Sequence, residues 1–399
     1  MPPAHRYHRP VPEPGDLSTP RSERRTPVLL AIKGLGHGGA ERLLVDSVAT
    51  GDHRAFEYEV AFVLSGSDDL AGELRDAGTP VHDLGARRSL DLRWLPSFRR
   101  LLLGHRYAIV HFHLPYTAAL GRLVILTLPR HRRPVTIYTE HSLWTKVSPL
   151  VKLLNRATVS GDGALIAVSD AAFEALPASL QPRARVVVHG VDLAPSRAMV
   201  DQRPEVRGRI RSELGVPDGD LLAVTVANLR SEKGYDVLLD AAALAGQRRL
   251  PLRFAAAGQG DQAEFLAERH RALGLDDRFR FLGHRRDALA LLAAADIVVL
   301  PSHQEGLPVV LMEATSVGAT IVATAVGGVP QVITDDVNGI VVPPGDPEAL
   351  TDALERLCEQ PDLRRRLGAG AAAGSAVFDV ARASGEIEAI YRELLPETG

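Results

Sequence analysis

The chain has 399 residues, 45% hydrophobic and 24% charged, the balance of an ordinary globular protein whose length calls for two domains. A formal net charge of −3 does not advertise nucleic-acid binding. The single cysteine, Cys358, excludes an intrachain disulfide and points to a reducing, cytoplasmic compartment, and no run of 18 apolar residues is present to cross a membrane.

Residues 1–26 are rich in Pro, Arg, Ser and His, have almost nothing to bury, and are predicted to be a disordered tail. Their basic start is not followed by the apolar region of a signal peptide. From Thr26 onward, apolar runs alternate with amphipathic stretches: "VLLAIKG", "EVAFVLSG", "AIVHFHLP", "VTIYTEHS" and "ALIAVSD" read as strands. Strands apolar nearly throughout are buried on both faces, which predicts a parallel sheet in a doubly wound α/β domain over 27–192. Residues 193–205, with two prolines and no regular period, read as a linker. The alternation resumes over 206–378 with "LLAVTVANLR", "LRFAAAGQG", "ADIVVLPS", "TIVATAVGG" and "GIVVPPGD". Residues 379–399 are expected to form a C-terminal helix able to cross back to the first domain. Two such domains imply a cleft at the carboxyl ends of their strands, where ligands of open parallel sheets bind.

The first strand leads into "KGLGHGGAERLL", where Gly34, Gly36 and Gly39 match G-x-G-x-x-G and Gly38 adds a fourth glycine. Glycines there let backbone approach a phosphate at a helix N-terminus. A dinucleotide site would use the same loop, but the second strand ends "FVLSGS", without the acidic residue an NAD-dependent dehydrogenase needs. A tight turn with no ligand is the plain alternative. "WLPSFRRLLLGHRY" sets Trp94, Phe98 and Leu101 beside arginines, as either a core-facing amphipathic helix or a helix lying on a membrane surface. His111 and His113 share one face of a strand, and His141 ends the next. Each histidine has as much claim to a structural role as to a ligand, and compact metal motifs such as H-E-x-x-H are absent.

In the second half, Arg230 and Lys233 occupy a strand–helix turn, where two cations oppose the helix dipole and call for an anion; solvated loop charges are the plain alternative. Gly258 and Gly260 of "GQGD" mark another such turn. "DGD" at 218–220 resembles a metal-binding Asp-x-Asp but reads better as a turn. In "LPSHQEGLPVVLMEATSVGA" a buried strand ends at Pro301, Glu305 and Gly306 lie in a loop, Pro308 suits a helix start, and Glu313 follows Glu305 by eight residues on the helix. Paired carboxylates there can accept from hydroxyls or act as a glycosidase pair. The phosphate-loop features around them speak against hydrolysis.

With "GGAERLL", "HFHLP", "TEHS", "HGVD", "SEKGYDVLLDAAA", "LPSHQEGLPVVLMEA", "VGGVPQVI" and "NGIVVPPGDPEAL" in this order, the sequence resembles the retaining glycosyltransferases of family 4 from Thr26 almost to its end. The resemblance implies the GT-B fold, two Rossmann-like domains facing across a cleft, and transfer of a hexosyl unit from a UDP- or GDP-type sugar with no metal and no cofactor. It implies that Lys233 and Arg230 hold the diphosphate, with Gly36, Gly38, Gly39, Gly258 and Gly260 close to the donor. Glu305, Gly306 and Leu307 would hold the sugar and phosphate, Glu313 the ribose, and His113 the transferred sugar, with His111 and His141 further candidates on the acceptor side. The family's commoner Gly-Arg before the loop is Ala227-Asn228 here, so Arg230 is taken as the substitute, and His189 stands where Asn is frequent. The expected partners are the donor and a glycan, lipid-linked or small-molecule acceptor, with peripheral contact at the inner membrane face. A non-catalytic binding protein of the same fold is the alternative. Lys233 itself reads as a loop lysine whose removal leaves the melting temperature near native.

Overall fold

The structure is a computed structural model that describes residues 25–36, 38–88, 91–141 and 148–395. The expected N-terminal tail lies almost wholly outside the described residues. Seven strands form the first sheet: β1 (Thr26–Ile32), β2 (Phe56–Leu64), β3 (Val81–Ala86), β4 (Ile109–His113), β5 (Val135–Glu140), β6 (Ala164–Ala167) and β7 (Ala184–Val186). Six form the second: β8 (Leu221–Val226), β9 (Leu252–Ala257), β10 (Phe279–Gly283), β11 (Ile297–Leu300), β12 (Ile321–Thr324) and β13 (Ile340–Val342). Their orders are β3-β2-β1-β4-β5-β6-β7 and β10-β9-β8-β11-β12-β13, and every strand pair is parallel. Both sheets reverse direction of growth beside their first strand, at β1/β4 and β8/β11. These reversals open crevices outside the strand carboxyl ends.

The central strands owe their place to two-sided burial. Val28, Leu30 and Ile32 of β1 pack into one hydrophobic cluster while Leu29 and Ala31 pack into another. In β11, Ile297 and Val299 face one cluster and Val298 and Leu300 the other. The period of two in a strand sends alternate side chains to opposite helix layers, so a central strand has no polar face. β3, β7 and β10 are not among the runs that the sequence marks as strands. All three are sheet edges with half-exposed positions, so none carries a continuous apolar run.

The segment 193–205 is helical, which corrects the expectation of an irregular linker. Asp192 caps helix Leu193–Asp201 by accepting from the Ala194 N–H at 2.8 Å, and helix Arg203–Glu213 follows after one residue. Its prolines do not prevent this, because the N–H groups of a helix's first turn have no intrahelical bond to lose, and Pro204 sits in that turn. Helix Val380–Leu394 returns to the first domain, where Ile387, Ile390 and Tyr391 join the β1 core cluster. The two interdomain crossings touch: the Val191 N–H donates to the Phe378 carbonyl at 2.9 Å and the Val380 N–H to the Val191 carbonyl at 3.1 Å. A Cβ on Gly190 would lie 2.4 Å from the Phe378 oxygen, which explains the glycine of "HGVD". Trp94 and Phe98 are wholly buried in helix Trp94–Gly104. Its apolar face therefore packs on the core rather than on a membrane.

Candidate active site

The loop after β11 is built around Glu305. The side chain is only 7% exposed, and Lys233 Nζ donates to both of its carboxylate oxygens, at 2.7 and 2.8 Å. The buried Ser302 hydroxyl donates to Oε1 at 2.6 Å. Three short charge-assisted bonds hold the carboxylate in one orientation. The Lys233 turn is pressed onto the β11 end: Gly234 has φ +66°, and a Cβ there would lie 2.0 Å from the Pro301 carbonyl oxygen. On the other side a Cβ on Gly327 would lie 1.8 Å from the Glu305 carbonyl oxygen, and the Gly328 N–H donates to the Gly306 carbonyl at 2.8 Å. Sequence reasoning singled out Glu305 and Lys233 but missed Ser302, Gly234 and the Gly327-Gly328 pair as builders of the loop. The available signal was the glycine directly after Lys233 and the glycine pair that begins three residues beyond the end of β12.

Pro308 precedes helix Val309–Ser316, which carries Glu313, half-buried. Helix Gly39–Thr50 of the first domain faces it: a Cβ on Gly39 would sit 3.3 Å from Val309, and Leu43 shares a cluster with Leu307 and Leu311. Burial, and next the charge of Asp46 on the facing helix, push the Glu313 carboxyl up to about 7, with Arg42 acting in the opposite sense. Arg42 in turn binds Asp46 through Nε at 2.8 Å and Glu73 at 2.7 Å. Glycines 34 and 36 pack on Ser67, whose hydroxyl would meet a Cβ on either at 2.8 Å. Gly38 is the residue before the helix.

Arg230 is exposed, 3.9 Å from the Glu232 carboxylate, and makes no contact with Glu305. Its charge and that of Lys33 act on half-buried Glu41 of the first domain, whose carboxyl is nevertheless raised by burial. Lys33, Glu41, Arg42 and Asp46 are charged residues of the crevice that motif reading passed over. Gly258 and Gly260 have a packing reason of their own: a Cβ would lie 1.9 Å from the Ala227 carbonyl oxygen or 2.2 Å from that of Leu229. Asp220 of "DGD" accepts from Arg253 Nε at 2.7 Å, an ordinary structural pair.

The histidines cluster, with different consequences for each. His111 is buried with both ring nitrogens engaged, to the Tyr391 hydroxyl at 2.6 Å and the Thr139 hydroxyl at 2.7 Å. It ties the returning helix to the sheet and has no nitrogen left for an acceptor, which corrects its place among the ligand candidates. His113 Nδ1 lies 2.9 Å from His141 Nε2, while among the described residues His113 Nε2 and His141 Nδ1 are buried without a partner. One N–H serves the shared bond, so of the two outer nitrogens one is a donor and the other an acceptor. His189 meets His141 edge-on, with centroids 5.4 Å apart. Burial above all holds the four rings neutral, with His111 pulled down to about 3, His189 to about 4, and His113 and His141 well below the usual range.

The model for "Glycosyl transferase 4-like domain" matches residues 38–192 and that for "Glycosyl transferases group 1" matches 206–373. A D-inositol 3-phosphate glycosyltransferase from Nocardioides is 30% identical over 327 residues, 74% of this chain and 69% of that protein. The chain belongs to glycosyltransferase family 4. The dehydrogenase reading of the first glycine loop falls away with that assignment. The alpha-D-kanosaminyltransferase of Streptomyces kanamyceticus is 28% identical over 78% of this chain and 84% of its own length. Against the D-inositol 3-phosphate glycosyltransferase of Saccharomonospora viridis, 34% identical, the match spans 53% of this chain and half of the relative. The fold is that of Anabaena HepE, solved in complex with UDP-glucose, with a TM-score of 0.78 at 21% identity over 92% of this chain and all of that one. It is likewise that of the Thermosynechococcus elongatus sucrose-phosphate synthase, with a TM-score of 0.74 at 21% identity over 93% and 99%.

Proposed function

We propose that this glycosyltransferase moves a hexosyl unit from a UDP- or GDP-type sugar to an acceptor hydroxyl, with retention at the anomeric carbon and without a metal ion. The observation that carries the reading is the Lys233–Glu305–Ser302 cluster at the carboxyl end of β11, beside a helix start in the crevice between the two sheets. Lys233 and Arg230 supply positive charge for the diphosphate, and the start of helix Val309–Ser316 adds the favourable end of its dipole. Glu305, fixed by Lys233 and Ser302, is the acceptor for sugar hydroxyls. The acceptor hydroxyl attacks C1 on the face the phosphate leaves. As the C1–O bond breaks, its electron pair goes to the phosphate oxygen, which takes the acceptor's proton, so neither glutamate forms a bond to the sugar. The neutral His113–His141 pair offers one hydrogen-bond donor and one acceptor to a hydroxyl, but no imidazolium acid.

The test is release of free nucleoside diphosphate from a panel of UDP and GDP sugars, with the product's anomeric configuration read by NMR. Donor binding without any turnover would favour a non-catalytic binding protein. An inverted anomer would end the retaining mechanism. Turnover is expected to persist in excess EDTA, because Lys233 and Arg230 take the role a divalent ion would have. Complete loss in chelator, restored by Mg²⁺ or Mn²⁺, would contradict this. The acceptor fits polysaccharide, glycolipid or glycosylated-metabolite assembly in the cytoplasm. No helix among the described residues is long and apolar enough to cross a membrane.

Glu313 carries a pH-dependent expectation. With its carboxyl raised from about 4.5 to about 7, the folded protein keeps a proton between those values that the unfolded chain has released. The contribution of Glu313 to stability is therefore greatest below about 4.5 and declines as pH rises towards 7. The ribose grip has the opposite sense, since an ionised carboxylate accepts more strongly from hydroxyls. Donor KM should fall as pH rises through about 7, and Glu313→Gln should flatten that profile. Glu313→Ala should raise donor KM more than it lowers kcat, as expected for binding shared by ground and transition states. An unchanged KM with a large fall in kcat, or an identical pH profile in wild type and Glu313→Gln, would rule the ribose role out.

A further inference from the structure

A second cavity of about 760 Å³ lies in the C-terminal domain, away from the crevice: none of Lys233, Glu305 or Glu313 lines it. Its walls come from helices Leu193–Asp201, Arg203–Glu213 and Pro361–Gly374 and from the carboxyl end of helix Val309–Ser316. Five arginines, 197, 203, 207, 364 and 365, line it against two aspartates, Asp201 and Asp296.

Three of the arginines have partners of their own. Arg207 binds Asp296 at 2.7 Å and the Ala294 carbonyl at 2.8 Å. Arg364 donates to the Leu357 and Cys358 carbonyls, and Arg365 pairs with Asp362. Arg203 does not. Among the described residues its Nε is buried without a hydrogen-bond partner, and no carboxylate is among the groups that act on its charge. Burial and the neighbouring Arg207 charge both disfavour its cationic form. The carbonyl end of helix Val309–Ser316 opens on the same cavity but supplies no acceptor to that Nε. A half-buried cation with an unanswered donor is costly unless an anion answers it. Exposed Arg197, on the preceding helix Leu193–Asp201, lines the same cavity, also without a carboxylate partner among the described residues.

We propose that this cavity binds a phosphate monoester about the size of a hexose phosphate, gripped by Arg203 and Arg197. The guanidinium fork matches a phosphate's paired oxygens, and the surplus of cations suits a dianion. The volume lies in the range of small-molecule sites and exceeds what a free phosphate ion fills.

Thermal melting of the full chain tests this, with glucose 6-phosphate, inorganic phosphate and succinate each added at equal ionic strength against KCl. Glucose 6-phosphate is expected to raise Tm by roughly 2 °C or more near saturation, since a ligand held by the native state alone stabilises it. Inorganic phosphate should do less and succinate little. Arg203→Gln and Arg197→Ala should each lose most of the shift. Arg197 is exposed, so its variant keeps the test valid should Arg203→Gln fold poorly by its circular dichroism. The proposal is overturned by no shift beyond KCl. It is equally overturned by a succinate shift as large as that of the phosphates, or by a shift that survives in Arg197→Ala, which would put the anion elsewhere, including at Lys233.

Discussion

Lys233→Ala is expected to cut turnover at saturating donor by on the order of 100-fold or more, the usual effect of removing one preorganised contact to a developing charge. Charge accumulates on the diphosphate as the sugar–oxygen bond breaks, so an ammonium there gains strength in the transition state. Its bond to Glu305 alters the stability expectation drawn from the sequence. Removing Lys233 strands a carboxylate that is only 7% exposed, with the Ser302 hydroxyl as its remaining side-chain partner among the described residues. A loss of about 1–3 kcal/mol follows, in place of a near-native melting temperature. Lys233→Ala combined with Glu305→Gln removes the stranded charge and should melt closer to wild type than Lys233→Ala alone while staying inactive. Lys233→Arg should recover part of the rate, since a planar guanidinium does not fit the place of a compact ammonium. Wild-type turnover in Lys233→Ala would dispose of the diphosphate site.

Gly327→Ala should damage both stability and turnover, although residue 327 bears no functional group. Its φ is +51°, and its Cβ would stand 1.8 Å from the Glu305 carbonyl oxygen and 2.8 Å from the carbonyl carbon. Both atoms are backbone, so relief requires the Glu305 loop to move. Overpacking of about 1–3 kcal/mol adds to about 1–2 kcal/mol for a left-handed alanine. A displacement of Glu305 by about 1 Å is worth roughly 100-fold in rate. Gly345→Ala separates the two effects. It has φ +74° and nothing within 4 Å, so it should lose only the backbone part and keep full activity. Equal melting and equal activity in the two variants would show that the Glu305 loop does not depend on Gly327.

Much of this is legible in the amino-acid sequence. Strands such as β1 and β11 are apolar on both faces, and that alone marks a parallel sheet between two helix layers. Glu305 and Glu313 were recognisable because strand, polar loop, Pro308 and helix follow one another within a short stretch of chain. The histidines show the limit. His111 and His113 share one strand face, and periodicity treats them alike, yet only His111 meets Tyr391, 280 residues further on. That bond uses its last nitrogen, whereas His113 keeps one that is unpartnered among the described residues.

The amino-acid sequence by itself determined the two-domain α/β architecture and most of its central strands, together with the loops that would carry charge and glycine. Such features are written in neighbouring residues, through periods of two and 3.6 and through turn chemistry. Only the tertiary structure decided which charges meet. Lys233 and Glu305 are 72 residues apart, and the Glu313 carboxyl is raised by burial and by Asp46 of the other domain. The edge strands, the helical connection after Asp192 and the unanswered Arg203 belong to the same class. Burial and electrostatic environment are set by whatever the fold brings alongside, and a residue's own neighbours in the chain carry no record of that.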